Sequence, residues 1–176
     1  MIPPLIFLPY LLNTIKNIYI TDGTEIPEKE IRNMARTIEG TVESSIGFYI
    51  GDICYVLSDE VYNGIWCDKY HFKDGVWTTP NGLKFAVART AYGDGLYHDD
   101  NGNEYPVDAG VIGVVPHELI GKGHAQLEKW ELGVMLTGTR AEFKAEDGYF
   151  EVEIYDRFGK LIHTVCINTE DEEVEE

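Results

Sequence analysis

The stretch Val134–Ile167, VMLTGTRAEFKAEDGYFEVEIYDRFGKLIHTVCI, decides the fold class. At its centre Phe150, Val152 and Ile154 alternate with Glu151 and Glu153. A period of two puts the apolar side chains on one side of an extended chain and the acids on the other. That is the pattern of an antiparallel strand with one wet face. Strands are expected over Val134–Ala145, Tyr149–Asp156 and Leu161–Ile167. Glu146-Asp147-Gly148 and Arg157-Phe158-Gly159 join them into a meander.

The same texture extends towards the N-terminus. Phe48–Leu57, Trp66–Phe72, Val76–Thr79 and Leu83–Thr90 are aromatic and β-branched. Lys73-Asp74-Gly75 and Pro80-Asn81-Gly82 separate the last three, and Asn101-Gly102 joins Leu96-Tyr97 to Glu104–Val107. Asn-Gly and Asp-Gly accept the left-handed backbone of tight hairpin turns. Val111–Val115 is a further apolar run stopped by Pro116, and the glycine-interrupted His117–Trp130 reads as a loop or short helix. Thr14–Thr21 alternates as a first strand. After it, Pro27 can open a helix with Ile31, Met34, Ala35 and Ile38 on one face, ended by Gly40. The expected fold is mainly β (α+β), with antiparallel sheets in a sandwich or open barrel and one short N-terminal helix.

At 176 residues the chain fits one domain with a core that needs neither disulfide nor metal. The expected organisation is an apolar arm at 1–12, a single β-rich domain at 13–168 and an acidic tail at 169–176. The arm, MIPPLIFLPYLL, has no basic start, carries Pro3, Pro4 and Pro9, and is too short to span a bilayer. It reads as a segment packing on the domain or on a partner, and it suits a homodimer. Cys54, Cys67 and Cys166 make an odd set without CxxC, which points to reduced thiols and a cytoplasmic setting. Cys54 and Cys166 lie among apolar residues and are expected to be buried.

Charge bounds the partners. The chain holds 31 acids and 14 bases, a formal charge of −17, and six of the acids lie in the tail, which leaves the body near −11. Direct nucleic-acid binding and attraction to an anionic membrane both need Lys and Arg, so both are excluded as expectations. A basic protein surface fits.

Tyr92-Gly93-Asp94-Gly95-Leu96-Tyr97 is the most distinctive motif. Two glycines let the backbone turn sharply and expose the carboxylate of Asp94, as an acid, a base or a ligand-gripping group requires. A tight β corner with a capping Asp asks for the same residues. If the chain is an enzyme, Asp94, Asp108 and His98 are the catalytic candidates. Asp52, Tyr92, Asp94, Tyr97 and Asp108 are the candidate ligand-binding set. The Asp99–Glu104 segment, DDNGNE, fails the calcium-loop spacing, because Glu104 stands where Gly is required and Gly110 where Glu is required. A polar hairpin tip accounts for it. Cys67 and His71 give a single C-x3-H, with His98, His117 and His124 scattered after it, short of a zinc pattern. No metal or cofactor is expected. Most of Tyr49, Tyr55, Trp66, Tyr70, Trp77, Tyr92, Tyr97 and Tyr105 are expected in the core and in cross-strand pairs.

From Gly51 to Pro116 the chain resembles a group of uncharacterised bacterial and phage proteins of unknown function. The resemblance rests on Gly51-Asp52-Ile53-Cys54-Tyr55, on Tyr92–Tyr97 and on Val107-Asp108-Ala109-Gly110-Val111-Ile112-Gly113. Cys54 stands where the group's first motif often has Pro. The resemblance implies a small β fold and a mobile-element origin, and no activity.

Two readings of function result. One is a non-enzymatic acidic interaction protein of the phage or mobile-element inhibitor type. Its carboxylates would stand in for phosphates on a basic groove, with Glu142, Glu146, Glu151, Glu153 and Asp156 of the meander as the partner-binding residues. Against it stands the plain role of acidity in keeping a protein in solution. The other is a small enzyme or ligand-binding domain centred on the Tyr92-Gly93-Asp94-Gly95 turn.

Overall fold

The computed structural model describes residues 37–121 and 131–170. The chain divides into two compact units, Met1–Thr37 and Ile38–Glu176, and every described element belongs to the second. The expected apolar arm, the Thr14–Thr21 strand and the start of the expected helix lie outside the described residues, as does the tail beyond Glu170.

In chain order the strands are β1 (Ile38–Glu43), β2 (Gly47–Gly51), β3 (Gly75–Thr78), β4 (Lys84–Arg89), β5 (Gly95–His98) and β6 (Glu104–Val107). They continue with β7 (Val111–Pro116), β8 (Val134–Thr137), β9 (Arg140–Glu146), β10 (Tyr149–Tyr155) and β11 (Leu161–Asn168). The longest helical segment among the described residues, α1 (Glu60–Lys69), is wound as a π-helix between β2 and β3, and Ile53–Tyr55 and His117–Leu119 form short 3-10 turns. Among the described residues the fold is mainly β and entirely antiparallel, without a closed barrel. A small sheet has the order β1-β9-β10-β11, a large sheet the order β3-β4-β7-β2-β8, and β5-β6 is a separate hairpin. Among the described residues no helix is long and apolar enough to cross a membrane.

Alternation builds the layers. Phe48, Ile50, Ala86, Ile112 and Val114 of the large sheet meet Val42, Phe143, Phe150, Val152, Ile154 and Val165 of the small sheet in one core. The other face of the large sheet, Tyr49, Phe85, Val87, Val111 and Val115, packs on Ile53, Leu57, Ile65, Trp66 and Leu119. Strands β2 and β7 are therefore buried on both faces, which explains their unbroken apolar runs. Each such large side chain contributes roughly 1.5–3 kcal/mol on full burial. The β5–β6 hairpin sends Tyr97, Tyr105 and Val107 into the first core and docks on β11, where the Asp100 N–H donates to the Cys166 carbonyl at 3.2 Å.

Several expectations are corrected. Ile38 and Gly40 lie on strand β1 and not at a helix end: Ile38, Gly40 and Val42 alternate inward against Glu39, Thr41 and Glu43. Trp66–Phe72 is not a strand, since Trp66 to Lys69 complete α1 and the next residues cap it. Val61, Tyr62, Ile65 and Trp66 pack as one helical face, with Ser58 Oγ accepting the Val61 N–H at 3.3 Å at its start. The run Val134–Ala145 is two strands in different sheets, broken at Gly138. There φ is +155°, and a side chain would collide with Ile154 of β10. Cys54 and Cys166 are half-buried, not buried, because Cys54 sits in a surface turn and Cys166 on the wet side of the small sheet.

Candidate functional site

Three turns, distant in sequence, meet beside the ends of β2, β6 and β7. Asp52 follows β2 and is fully buried. Its Oδ1 accepts the Cys54 N–H at 2.9 Å, and its Oδ2 accepts the N–H groups of Asp108 and Ala109 at 2.7 and 2.6 Å. One carboxylate thus caps its own turn and fastens the β6–β7 turn to it. The Tyr55 hydroxyl adds a second tie by donating to Asp108 Oδ2 at 2.7 Å. The Tyr92–Gly95 turn closes through Thr90, whose hydroxyl donates to the Gly93 carbonyl at 2.6 Å and accepts the Gly93 N–H at 2.8 Å. Tyr97 donates to the same carbonyl at 2.9 Å. Gly110, at φ +69°, lies against Gly93: a Cβ built there would come within 3.5 Å of the Gly93 Cα and 3.8 Å of Asp94 Oδ1.

Asp52 and Tyr97, expected among the ligand-gripping groups, are therefore interior and engaged with backbone. Tyr92, Asp94 and Asp108 face outward around them. His98 is separate, on the β5–β6 hairpin, with Nε2 at 3.6 Å from Glu104 Oε1. Cys54 stands beside the same carboxylates. Burial first, then the charges of Asp52, Asp108 and Asp94, push its thiol up, which holds it protonated and poorly nucleophilic. Among the described residues no three His, Cys, Asp or Glu side chains converge as metal ligands. Asp99 belongs to a hairpin tip: its Oδ1 accepts the N–H groups of Asn101 and Asn103, and its Oδ2 accepts Asn103 Nδ2 and the Tyr105 hydroxyl.

The second candidate surface is the outer face of the small sheet. In register across it, Glu39 opposes Lys144, which opposes Glu151. In the next row Thr41 opposes Glu142, which opposes Glu153. Glu43 and Glu146 extend the same face, and Arg140 and Lys144 are the cations on it. Arg140 reaches Glu142 at 3.6 Å and Lys144 reaches Glu39 at 3.8 Å. The Tyr155 hydroxyl donates to Glu153 Oε2 at 2.7 Å, and this bond, then burial and the neighbouring carboxylates, raises the Tyr155 pKa. A shallow cleft of about 420 Å³ lies along Glu39, Glu142, Lys144, Glu151 and Glu153. Of the five partner-binding residues expected from sequence, the structure brings Glu142, Glu146, Glu151 and Glu153 onto this face. Asp156 is not on it: its Oδ1 accepts the N–H groups of Phe158 and Lys160 and closes the β10–β11 turn.

Sequence reasoning missed Glu39 and Glu43, although the alternation in IEGTVE signals them once that segment is read as a strand. It also missed Tyr55, whose hydroxyl partner is 53 residues away and leaves no local pattern, and Thr90, whose partner Gly93 is three residues away and is the kind of local turn a Thr before a glycine can signal. Compared with known proteins, the chain matches no family model, no curated protein and no solved structure.

Proposed function

We propose that the chain is a non-enzymatic, cytoplasmic, acidic interaction protein whose small sheet offers its outer face to a basic partner surface, its carboxylates replacing phosphates. The resemblance to bacterial and phage proteins carries no activity, and the inhibitor role rests on the acidic face alone. One observation carries the reading. Glu142 sits directly opposite Glu153 on neighbouring strands, beside a row in which Lys144 stands between Glu39 and Glu151. Like charges opposed across a sheet cost stability, by roughly 0.2–1 kcal/mol. Solubility alone asks for scattered charge, not for repulsion placed on one face. A basic groove relieves that repulsion on docking and steers the encounter through the −17 charge.

The test uses tagged protein and its Glu142→Lys/Glu153→Lys variant in pull-downs at low and high salt. The expected result is capture of a basic nucleic-acid-binding protein that double-stranded DNA displaces, that high salt releases, and that the variant does not hold. Equal capture by the variant overturns the proposal.

A second reading has its own observation. The converging turns leave Tyr92, Asp94 and Asp108 outward on one glycine-framed surface, which suits a small cationic ligand. Asp94→Asn abolishes binding or activity under this reading and leaves partner capture unchanged under the first.

A further inference from the structure

The β10–β11 hairpin tip lies at the far end of β11 from the converging turns, about seven residues or roughly 23 Å along the strand. Its Phe158 is 80% exposed and shares one groove with Ile46 at 55% and Ile162 at 37%. These three are among the eight large apolar side chains exposed among the described residues. Scattered exposed apolar residues are ordinary, whereas a gathered group marks a contact surface. A groove of about 290 Å³, lined by Ile46, Gly138, Phe158 and Ile162 together with two threonines, Asp156 and Arg157, opens beside the tip. The Arg157 guanidinium lies over the Phe158 ring at 4.7 Å.

Charge identifies the occupant. Copies of a chain with a net charge of −17 repel over most of their surface. At this tip, however, Asp156 and Arg157 both line the groove, one acid and one base from each copy, and a two-fold contact can pair them crosswise. Glu118, next to the Ser44–Ile46 turn, is spent on that turn: it accepts the Ser45 N–H at 2.6 Å and the hydroxyls of Ser44 and Ser45. The patch also holds a protruding ring and an apolar groove side by side, which is the requirement for a self-complementary two-fold contact. We propose that this end is a dimer interface with a second copy of the chain. Phe158 of each copy enters the groove of the other, and Arg157 of each faces Asp156 of the other. The patch is narrow, so the dimer is weak and concentration-dependent. It is independent of the acidic face, which stays open for a partner.

Sedimentation of the full chain from micromolar to millimolar concentration tests this. The mass is expected to rise from 19.9 kDa towards twice that value. Phe158→Asp should weaken association by at least about tenfold, which is about 1.4 kcal/mol. Arg157→Glu should weaken it as well. Tyr92→Asp, at an exposed aromatic on the converging turns, should associate like wild type, and circular dichroism confirms the fold of each variant. A wild-type chain that stays monomeric throughout overturns the proposal. So does open-ended association, or a Phe158→Asp variant that associates as wild type does.

Discussion

Replacing Asp52 with Asn removes one atom's worth of chemistry from the centre of the converging turns, and the structure sets the cost. The carboxylate is fully buried and accepts three backbone N–H groups, from Cys54 on one oxygen and from Asp108 and Ala109 on the other. A carboxamide offers one oxygen and one NH2 group. If the oxygen serves Asp108 and Ala109, the NH2 points at the Cys54 N–H, donor against donor. An unsatisfied buried N–H costs roughly 1–3 kcal/mol, and each surviving bond falls from about 1.5–3 to about 0.5–1.5 kcal/mol when its acceptor loses charge. The neutral amide is easier to bury, which offsets part of this. The net expectation is a loss of about 3 kcal/mol, against a total of roughly 5–15 kcal/mol for a domain, so the variant still folds. Urea unfolding followed by tryptophan fluorescence should show the midpoint falling by about 1–2 M at unchanged slope. Asp94→Asn, on an exposed side chain, should stay within about 0.5 kcal/mol of wild type. If Asp52→Asn moves the midpoint no more than Asp94→Asn does, the carboxylate is not the fastener and the argument fails.

Glu118 makes stability depend on pH. Burial alone would raise its carboxyl, but the hydrogen bonds from Ser45 and Ser44 outweigh that and hold it down at about 2, below the ordinary 4.5. A depressed folded pKa stabilises above the unfolded value and loses that contribution as pH falls from about 4.5 towards 2. Thermal midpoints of wild type and Glu118→Gln should differ at pH 7 and converge near pH 2, and parallel curves would refute this. Gly113→Ala should destabilise by about 1–3 kcal/mol in the same urea assay, because its Cβ would meet the Ala86 carbonyl and lie 2.6 Å from Ile53 Cγ2. A neutral outcome would mean that β7 can move away from β4. Glu153→Gln keeps an acceptor for the Tyr155 hydroxyl while removing the repulsion with Glu142. It should raise stability by about 0.2–1 kcal/mol at low salt, with the gain shrinking in 1 M salt. A loss of stability instead would count against the like-charge argument.

What could be read from the sequence was whatever is encoded locally. The meander is visible because Phe150, Val152 and Ile154 point into the core while Glu151 and Glu153 stay on the outer face, and because Asp-Gly and Asn-Gly mark the turns. α1 was not visible, because Trp66, Tyr70 and Phe72 are strand formers by propensity. Tertiary contacts of Ile65 and Trp66 with the large sheet override that preference. The break at Gly138 was hidden because Val134, Met135 and Leu136 before it and Ala141 and Phe143 after it read as one strand, while the break itself shows only in the backbone at φ +155° beside Ile154. The candidate site divides in the same way. The glutamates of β9 and β10 follow from alternation alone. That Asp52 serves the backbone of Asp108 and Ala109, 56 and 57 residues away, follows only from the sheet order that brings β2 beside β7.

The acids of this chain therefore fall into two populations with opposite energetics. Asp52, Asp99, Glu118 and Asp156 turn their oxygens to backbone N–H groups at chain reversals, where removing the charge removes a support. Glu142 and Glu153 face one another across strands, with Arg140 and the Tyr155 hydroxyl beside them, and there removing one charge is expected to relieve repulsion. Net charge cannot tell these apart, and under the proposed function it is the second kind that meets the partner. A carboxylate that stabilises the fold needs no partner to explain it. Carboxylates held together against their own repulsion store free energy that a basic surface can release on binding, without any rearrangement of the sheet. The Glu153→Gln measurement reads the sign of that contribution in the isolated chain, before any partner is known, and a stabilising sign would leave the acidic face no different from mere acidity.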